Sequence, residues 1–235
     1  MLLDDLLEII DPENSRGTAG KREVYKTIYR LKSEKHIFAL RSGVFLVGAP
    51  ENSQDTVRLI EQYYWEIVQA FIRREVRSEY IIAGPKALEF HIGDMSTPSI
   101  LIVYSKSTSK ILKISPRHKI IFKTIEAGRR VTGNFFPKLM KFSLKRELPG
   151  VGNVRFLTLE AAILDALLVH SGGLQPDEYL VRKFLDRFAD VLSGESLGKL
   201  VSMRYISSIN RLRERAKELG YEKLYHDCIA VIKTQ

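Results

Sequence analysis

The chain has 235 residues and a formal net charge of +9, from 37 Lys and Arg against 28 Asp and Glu. Its single cysteine, Cys228, excludes an intramolecular disulfide framework and a multi-cysteine zinc site. No apolar run reaches the length of about 18 residues that spans a membrane, and the amino terminus has acids where a signal peptide has bases. We therefore expect a soluble, cytoplasmic protein. Its length favours two domains.

The positive charge is concentrated in two parts of the sequence. Ser15–Gly48 carries eight bases against two acids, net +6, and Tyr104–Arg146 carries twelve bases against one acid, net +11. Concentrated cationic charge attracts polyanions through counterion release, which favours a nucleic-acid partner over an acidic small molecule. A solvated lysine-rich face is the alternative interpretation of the second block.

The first predicted helix is Met1–Ile10. Its apolar residues recur at helical spacing and are expected to face inward: Leu2, Leu3, Leu6, Leu7 and Ile10. The following segment, Asp11–Gly20, has the composition of a loop or a single turn. The sequence therefore leaves little room for the second helix of a helix-turn-helix unit.

The segment Lys21–Gly48 predicts an amphipathic helix followed by a hairpin. At 100° per residue, Val24, Ile28 and Leu31 form one buried stripe. The opposite side offers cations, a hydroxyl group and an aromatic ring, from Arg22, Lys26, Tyr29, Arg30 and Ser33. Such a face suits the major groove of DNA. A solvated cationic face without a ligand is the alternative.

The hairpin would form the wing of a winged helix-turn-helix. Strand residues Ile37, Phe38 and Leu40 lead to Arg41-Ser42-Gly43, where glycine can supply the positive φ of a turn, and then to Val44–Val47. Arg41 would then contact the DNA backbone or the minor groove, and Lys21, Lys32 and Lys35 would add nonspecific attraction. The predicted DNA-binding residues are Lys21, Arg22, Lys26, Tyr29, Arg30, Ser33 and Arg41.

Three regions are predicted: residues 1–50 as the winged helix-turn-helix domain, 51–75 as a connecting helix, and 76–235 as an α+β domain. The connecting helix starts from Gln54, after the turn-rich Gly48–Ser53. Its inward residues are predicted to be Val57, Ile60, Tyr64, Ile67, Val68 and Phe71. The adjacent aromatic residues Tyr63, Tyr64 and Trp65 are interpreted as packing or interdomain contacts rather than as a platform for stacking bases.

The remainder predicts a mixed sheet followed by a helical tail, giving the α+β fold class. The predicted strands are Tyr80–Ala83, Ser99–Tyr104, Lys119–Ile125 and Val154–Leu157, with loops at Ser105–Ser109 and Gly128–Pro137. The predicted helices are Lys86–His91, Thr158–His170, one opened by Pro176, Ser207–Leu219 and Tyr221–Lys233. In the helix after Pro176, the inward residues are predicted to be Leu180, Phe184, Phe188 and Val191.

No sequence motif argues for catalysis, for a metal or for a cofactor. The five histidines are far apart and show no paired ligand spacing. The sequence contains neither a Gly-x-Gly-x-x-Gly nor a Gly-Lys-Ser/Thr phosphate loop, and no Gly-x-Ser-x-Gly elbow. We therefore predict a protein that acts by binding, without enzymatic activity.

Two sequence blocks resemble the AbiEi family of antitoxin transcriptional regulators. The first is YIIAGPKALEFHIG at Tyr80–Gly93, where the matching residues are Tyr80, Ile81, Gly84, Ala87, Leu88, His91 and Gly93. The second is FLTLEAAILDAL at Phe156–Leu167, where Glu160, Ala162 and Asp165 match and Ala161 replaces the usual Lys. We interpret these matching positions as scaffold that identifies a family rather than as an active site.

The resemblance implies an amino-terminal winged domain that binds operator repeats upstream of its own operon. It also implies a carboxy-terminal domain that counters a toxin resembling a nucleotidyltransferase. Two alternatives remain open. One is a nucleotidyltransferase-like enzyme, for which the acids Asp94, Glu126, Glu160 and Asp165 are dispersed in sequence. The other is an adaptor that uses its basic surface to bind an acidic protein.

Overall fold

The computed structural model describes residues 5, 6, 9, 18–41, 43–48, 56–76, 79–124, 135–168 and 177–234. By its contacts the chain divides into two compact units. The first comprises Met1–Arg77 with Ile114–Pro116, and the second comprises Ser78–Lys113 with Arg117–Gln235. The α+β class, the mixed sheet and the helical carboxy-terminal part predicted from the sequence are confirmed.

The first unit consists of helices and one hairpin. Its elements are α1 (Thr18–Ser33), β1 (Ile37–Arg41), β2 (Val44–Val47), α2 (Thr56–Gln62) and α3 (Tyr64–Val76). The predicted first helix is seen in Asp5, Leu6 and Ile9, which are helical. Leu6 is buried, as predicted, whereas the other four predicted inward residues lie outside the described residues.

The predicted connecting helix is two helices, because the chain turns at Tyr63 between α2 and α3. The prediction that Val57 faces inward is wrong, since 41% of this residue is exposed. The other five are buried. The rings of Tyr64 and Trp65 are buried and meet edge to face at 5.1 Å, which confirms that these aromatic residues pack inside the protein.

The second unit contains, among its described residues, a six-stranded mixed sheet. The strands are β3 (Tyr80–Ala83), β4 (Ile100–Ser105), β5 (Lys110–Lys113), β6 (Lys119–Thr124), β7 (Ser143–Leu148) and β8 (Gly152–Leu157), in the spatial order β5-β6-β4-β3-β8-β7. The β3–β8 and β4–β6 pairs are parallel and the other three are antiparallel. β5 and β7 therefore form opposite edges of the sheet.

The helices of this unit build a large core with one face of the sheet. They are α4 (Pro85–Ile92), α5 (Phe135–Met140), α6 (Leu159–Ala166), α7 (Glu178–Phe188), α8 (Gly194–Leu200), α9 (Ile206–Leu219) and α10 (Glu222–Lys233). A π-helical turn, Val201–Tyr205, joins α8 to α9. Ile81, Ile102 and Leu157 from three central strands belong to the same buried cluster as the helical core residues.

Several predictions for this unit need correction. β5, β7 and α8 were not predicted, and Phe135–Pro137, predicted as loop, form the first residues of α5. The rest of that predicted loop, together with Val169–Pro176, lies outside the described residues. Val191 is 63% exposed rather than inward, because α7 ends at Phe188 and a 3-10 turn breaks the helical period.

The two blocks that carry the family resemblance meet inside the second unit. The Gly84 amide donates to Asp165 Oδ2 at 2.9 Å, and the hydroxyls of Tyr104 and Tyr205 donate to Asp165 Oδ1 at 2.8 and 3.1 Å. Asp165 is completely buried, so these donors compensate for the water that its carboxylate loses. The predicted scaffold role of this acid is thereby given a physical basis.

Candidate nucleic-acid interface

One side of α1 is fixed by apolar packing within the first unit. Val24 and Ile28 are 0% and 5% exposed, and they form a cluster with Leu6, Ile37 and Phe45. Leu31 packs against the same cluster, so the predicted buried stripe is confirmed. Because the first helix and both hairpin strands contribute to it, this cluster fixes which face of α1 points to solvent.

The opposite side of α1 is cationic and exposed. It carries the five predicted residues of this face, all exposed: Arg22, Lys26, Tyr29, Arg30 and Ser33. From Arg22 to Ser33 the face spans twelve residues, and the eleven steps between them at 1.5 Å each make it about 16 Å long. A helix of this kind, about 10–12 Å across with its side chains, matches the roughly 12 Å width of a major groove.

Tyr25 belongs to this face and was missed in the sequence analysis. It is 56% exposed, and Tyr29, one turn later, is 76% exposed. The same 100° periodicity that placed Tyr29 places Tyr25 beside it, about 40° away. Each of these two exposed tyrosines offers a hydroxyl group and an apolar ring to a ligand.

Local contacts modify two of the predicted residues. Lys26 Nζ lies 2.6 Å from Glu23 Oε1, and this hydrogen bond, with the lysine's charge, lowers the pKa of the Glu23 carboxyl. Both side chains are exposed, so the pair is weak and the lysine can exchange glutamate for phosphate. Ser33 Oγ donates its proton to the Arg30 carbonyl at 2.7 Å, so donation to phosphate requires a rotation of the hydroxyl.

The carboxy-terminal end of α1 is a Schellman motif with a lysine where glycine is usual. The His36 amide donates to the Leu31 carbonyl at 2.8 Å and the Lys35 amide donates to the Lys32 carbonyl at 3.1 Å. Lys35 has φ 59°, and no other non-glycine residue in the described part of the chain has positive φ. This turn directs the chain from α1 into β1, and it places another exposed cation at the end of the helix.

The hairpin has the predicted form. β1 and β2 are antiparallel, with Phe38 opposite Leu46 and a bulge between Ala39 and Arg41. Gly43 has φ 76°, as the turn requires. Arg41 is the last residue of β1, and Lys21 lies within α1, but both of their side chains lie outside the described part of the structure, as does Ser42.

The acids considered for an enzyme are engaged separately. Asp165 is held in the buried network described above, and Glu160 Oε1 accepts the Ser193 amide at 3.0 Å. Asp94 accepts the Ser96 amide at 2.8 Å, and this bond lowers the pKa of its carboxyl. Glu126 lies outside the described residues. Within the described ranges no group of three or more His, Cys, Asp or Glu is placed to hold a metal ion.

A cavity of about 650 Å³ in the second unit is lined by residues from the end of α6 and from α7 and α9. Two of its arginines are held by neighbouring groups of the protein. Arg215 lies 2.5 Å from Glu178 and 2.8 Å from Glu218, and Arg211 donates to the Leu167 carbonyl at 2.6 Å. These contacts account for the guanidinium groups of Arg211 and Arg215 without a ligand.

Comparison with known proteins yields a likeness of fold. No family model and no curated protein matches this sequence. The crystal structure of the RV2827C protein from Mycobacterium tuberculosis is similar, with a TM-score of 0.55 and 14% sequence identity, over 90% of this chain and 70% of that one. In the described part of the chain, no helix has the length and apolar character needed to cross a membrane.

Proposed function

We propose that this protein is a cytoplasmic, DNA-binding transcriptional regulator of antitoxin type that acts by binding rather than by catalysis. The observation that carries the proposal is the exposed face of α1. There, Arg22, Lys26 and Arg30 stand at successive intervals of four residues beside two exposed tyrosines, while the opposite side of the helix is buried. Arginine can bind guanine in bidentate fashion and cations neutralise phosphates, so this face combines specific and nonspecific DNA contacts.

In this proposal α1 enters the major groove and the β1–β2 hairpin lies beside it on the duplex. Lys35, exposed at the end of the helix, adds attraction to the backbone. Helix α1 contains five bases. Among those whose side chains the structure describes, only Lys26 lies within ion-pair distance of an acid on the same helix, Glu23. Apart from Glu23, the helix contains no acid to repel phosphate.

Binding is tested by fluorescence anisotropy with a duplex from the protein's own promoter and a scrambled duplex of equal length. Replacing Arg22→Gln and Arg30→Gln together should weaken promoter binding at least tenfold and reduce discrimination, since one bidentate base contact contributes about 1–3 kcal/mol. Lys217→Gln with Lys233→Gln removes two exposed charges from α9 and α10 and serves as the control. Equal weakening in both double variants would refute a specific role for α1.

The antitoxin part of the proposal rests on the resemblance of Tyr80–Gly93 and Phe156–Leu167 to AbiEi regulators. The proposed partner is a toxin resembling a nucleotidyltransferase, and the proposed target is the protein's own operon. Cells whose growth is arrested by such a toxin, expressed from the neighbouring gene, should grow again when this protein is co-expressed. A reporter under the protein's own promoter should be repressed by the wild-type chain. Repression of the reporter without rescue of growth would support the role as a regulator and refute the role as an antitoxin.

A further inference from the structure

The second basic block is not one surface. Its described strands lie at the two opposite edges of the sheet, because β5 and β6 lie at one edge and β7 lies at the other. With strands about 4.8 Å apart, the outer strands are separated by roughly 24 Å. The β5–β6 edge is the more strongly charged part: residues 104–124 contain six bases and no acid, whereas residues 135–148 contain four bases and one acid.

Strand register places three of these lysines on the same face of the sheet. Lys113 pairs directly with Lys119, and Ile111 pairs with Ile121. Lys123 follows Lys119 by four residues, so it lies on the same face about 13 Å along the strand. In the β4–β6 pairing, Lys119 and Lys123 are opposite Ile100 and Tyr104. The face that forms the apolar core beneath the helices thus becomes cationic at the β5–β6 edge.

The opposed lysines are unfavourable in the free protein. Like charges directly across a strand pair destabilise it, and within the described structure neither Lys113 nor Lys119 forms an ion pair. Lys113 is exposed, while Lys119 and Lys123 are half-buried. A bound polyanion would relieve the repulsion between Lys113 and Lys119.

We infer that the face defined by Lys113, Lys119 and Lys123, the β5–β6 lysine face, binds the phosphate backbone of duplex DNA. The inference rests on the proposed function and adds a second, sequence-independent contact in the other unit of the chain. Uniform positive charge complements a uniformly anionic backbone, whereas a protein interface usually needs an apolar centre. Here Ile111, at 61%, is the one large exposed apolar residue of β4, β5 and β6.

Lysines on an edge strand also prevent sheets from associating, and that role would require no ligand. The two roles differ in a measurable quantity, the salt dependence of DNA binding. Each phosphate neutralised contributes about −0.9 to the slope of log K against log salt concentration. An edge that only prevents association contributes nothing to that slope.

The test is a full-length variant with Lys113→Gln and Lys119→Gln, measured by anisotropy on promoter and scrambled duplexes over a potassium chloride series. The slope should become shallower by about 1.8, since two phosphate contacts are lost. The ratio of promoter to scrambled affinity should stay unchanged. The melting temperature should stay the same or rise, because a repulsion is removed; this readout also shows that the variant is folded.

The matched control is Lys138→Gln with Lys141→Gln, which removes two exposed charges in and just after α5, outside the β5–β6 face. An unchanged slope in this control and a reduced slope in the Lys113/Lys119 variant support the inference. Equal slopes in wild type and the Lys113/Lys119 variant, or an equal reduction in the control, would overturn it.

The Arg22/Arg30 variant separates the two proposals. If it loses discrimination while the Lys113/Lys119 variant binds like wild type, the DNA-binding proposal stands and the lysine face is rejected. If wild type binds no duplex, both are rejected. Capture of an acidic protein that depends on Lys113 and Lys119, with unchanged DNA binding, would also reject duplex DNA as the ligand of this face.

Discussion

Replacing Lys35→Gly should stabilise the first unit and weaken DNA binding at the same time. Lys35 has φ 59°, a left-handed conformation that costs an L-residue roughly 1–2 kcal/mol. Glycine removes that cost but loses about 0.5–1 kcal/mol through its greater freedom in the unfolded chain. The side chain is exposed, so little packing is lost, and the expected net gain is about 0.5–1 kcal/mol.

Urea unfolding followed by tryptophan fluorescence measures this change, because Trp65 is the one tryptophan of the chain and lies buried in α3 of the first unit. Lys35→Ala is the matched variant: it removes the same charge but keeps the Cβ atom and its strain. Glycine should be more stable than alanine at this position. A glycine variant less stable than the alanine variant would refute the left-handed end of α1. Both variants should reduce the salt slope by about 0.9 if Lys35 contacts phosphate.

Three further predictions concern the second unit. Asp165→Ala should destabilise it by about 3 kcal/mol or more, since three buried donors lose their acceptor at about 1–3 kcal/mol each. Urea unfolding followed by circular dichroism measures this change, and a variant as stable as the wild-type protein would refute the network. Burial lowers the pKa of His91 below its ordinary 6.5, so its contribution to stability is complete above pH 6.5 and declines as pH falls towards the folded-state pKa. His91→Gln should remove that part of the pH dependence of unfolding, and an identical pH profile would contradict this. Burial raises the pKa of Cys228 to about 12, so a thiol reagent should label it only after unfolding, and rapid labelling of the native protein would show that the thiol is accessible.

Periodicity predicted the elements in which one face is clearly apolar. In α1 the spacing of Val24, Ile28 and Leu31 fixed both the buried and the exposed side, and the structure confirms that division. β3 was predicted with its observed bounds because Tyr80–Ala83 is a short apolar run that Gly84-Pro85 ends. Gly220, which has φ 79°, ends α9 as expected from its place after a periodic segment.

The missed strands lie at the edges of the sheet, where local sequence carries less information. β7, with the sequence SLKREL, is mostly polar because its outer side lacks a neighbouring strand among the described residues. β5 is a four-residue strand with a lysine at each end. The contact of Gly84 with Asp165 joins residues 81 positions apart, and the opposition of Lys113 and Lys119 depends on strand register. Neither follows from a local pattern, because both arise from tertiary packing.

Whether α1 presents a DNA-binding face can be measured from the salt dependence with which the wild-type protein binds its own promoter duplex. Contacts to phosphate from Lys26, Lys32 and Lys35 alone, all exposed, predict a slope of log K against log salt concentration of about −2.7, and further contacts make it steeper. The wild-type protein should also bind the promoter more tightly than a scrambled duplex. A slope near zero, or no binding to any duplex at low salt, would contradict it.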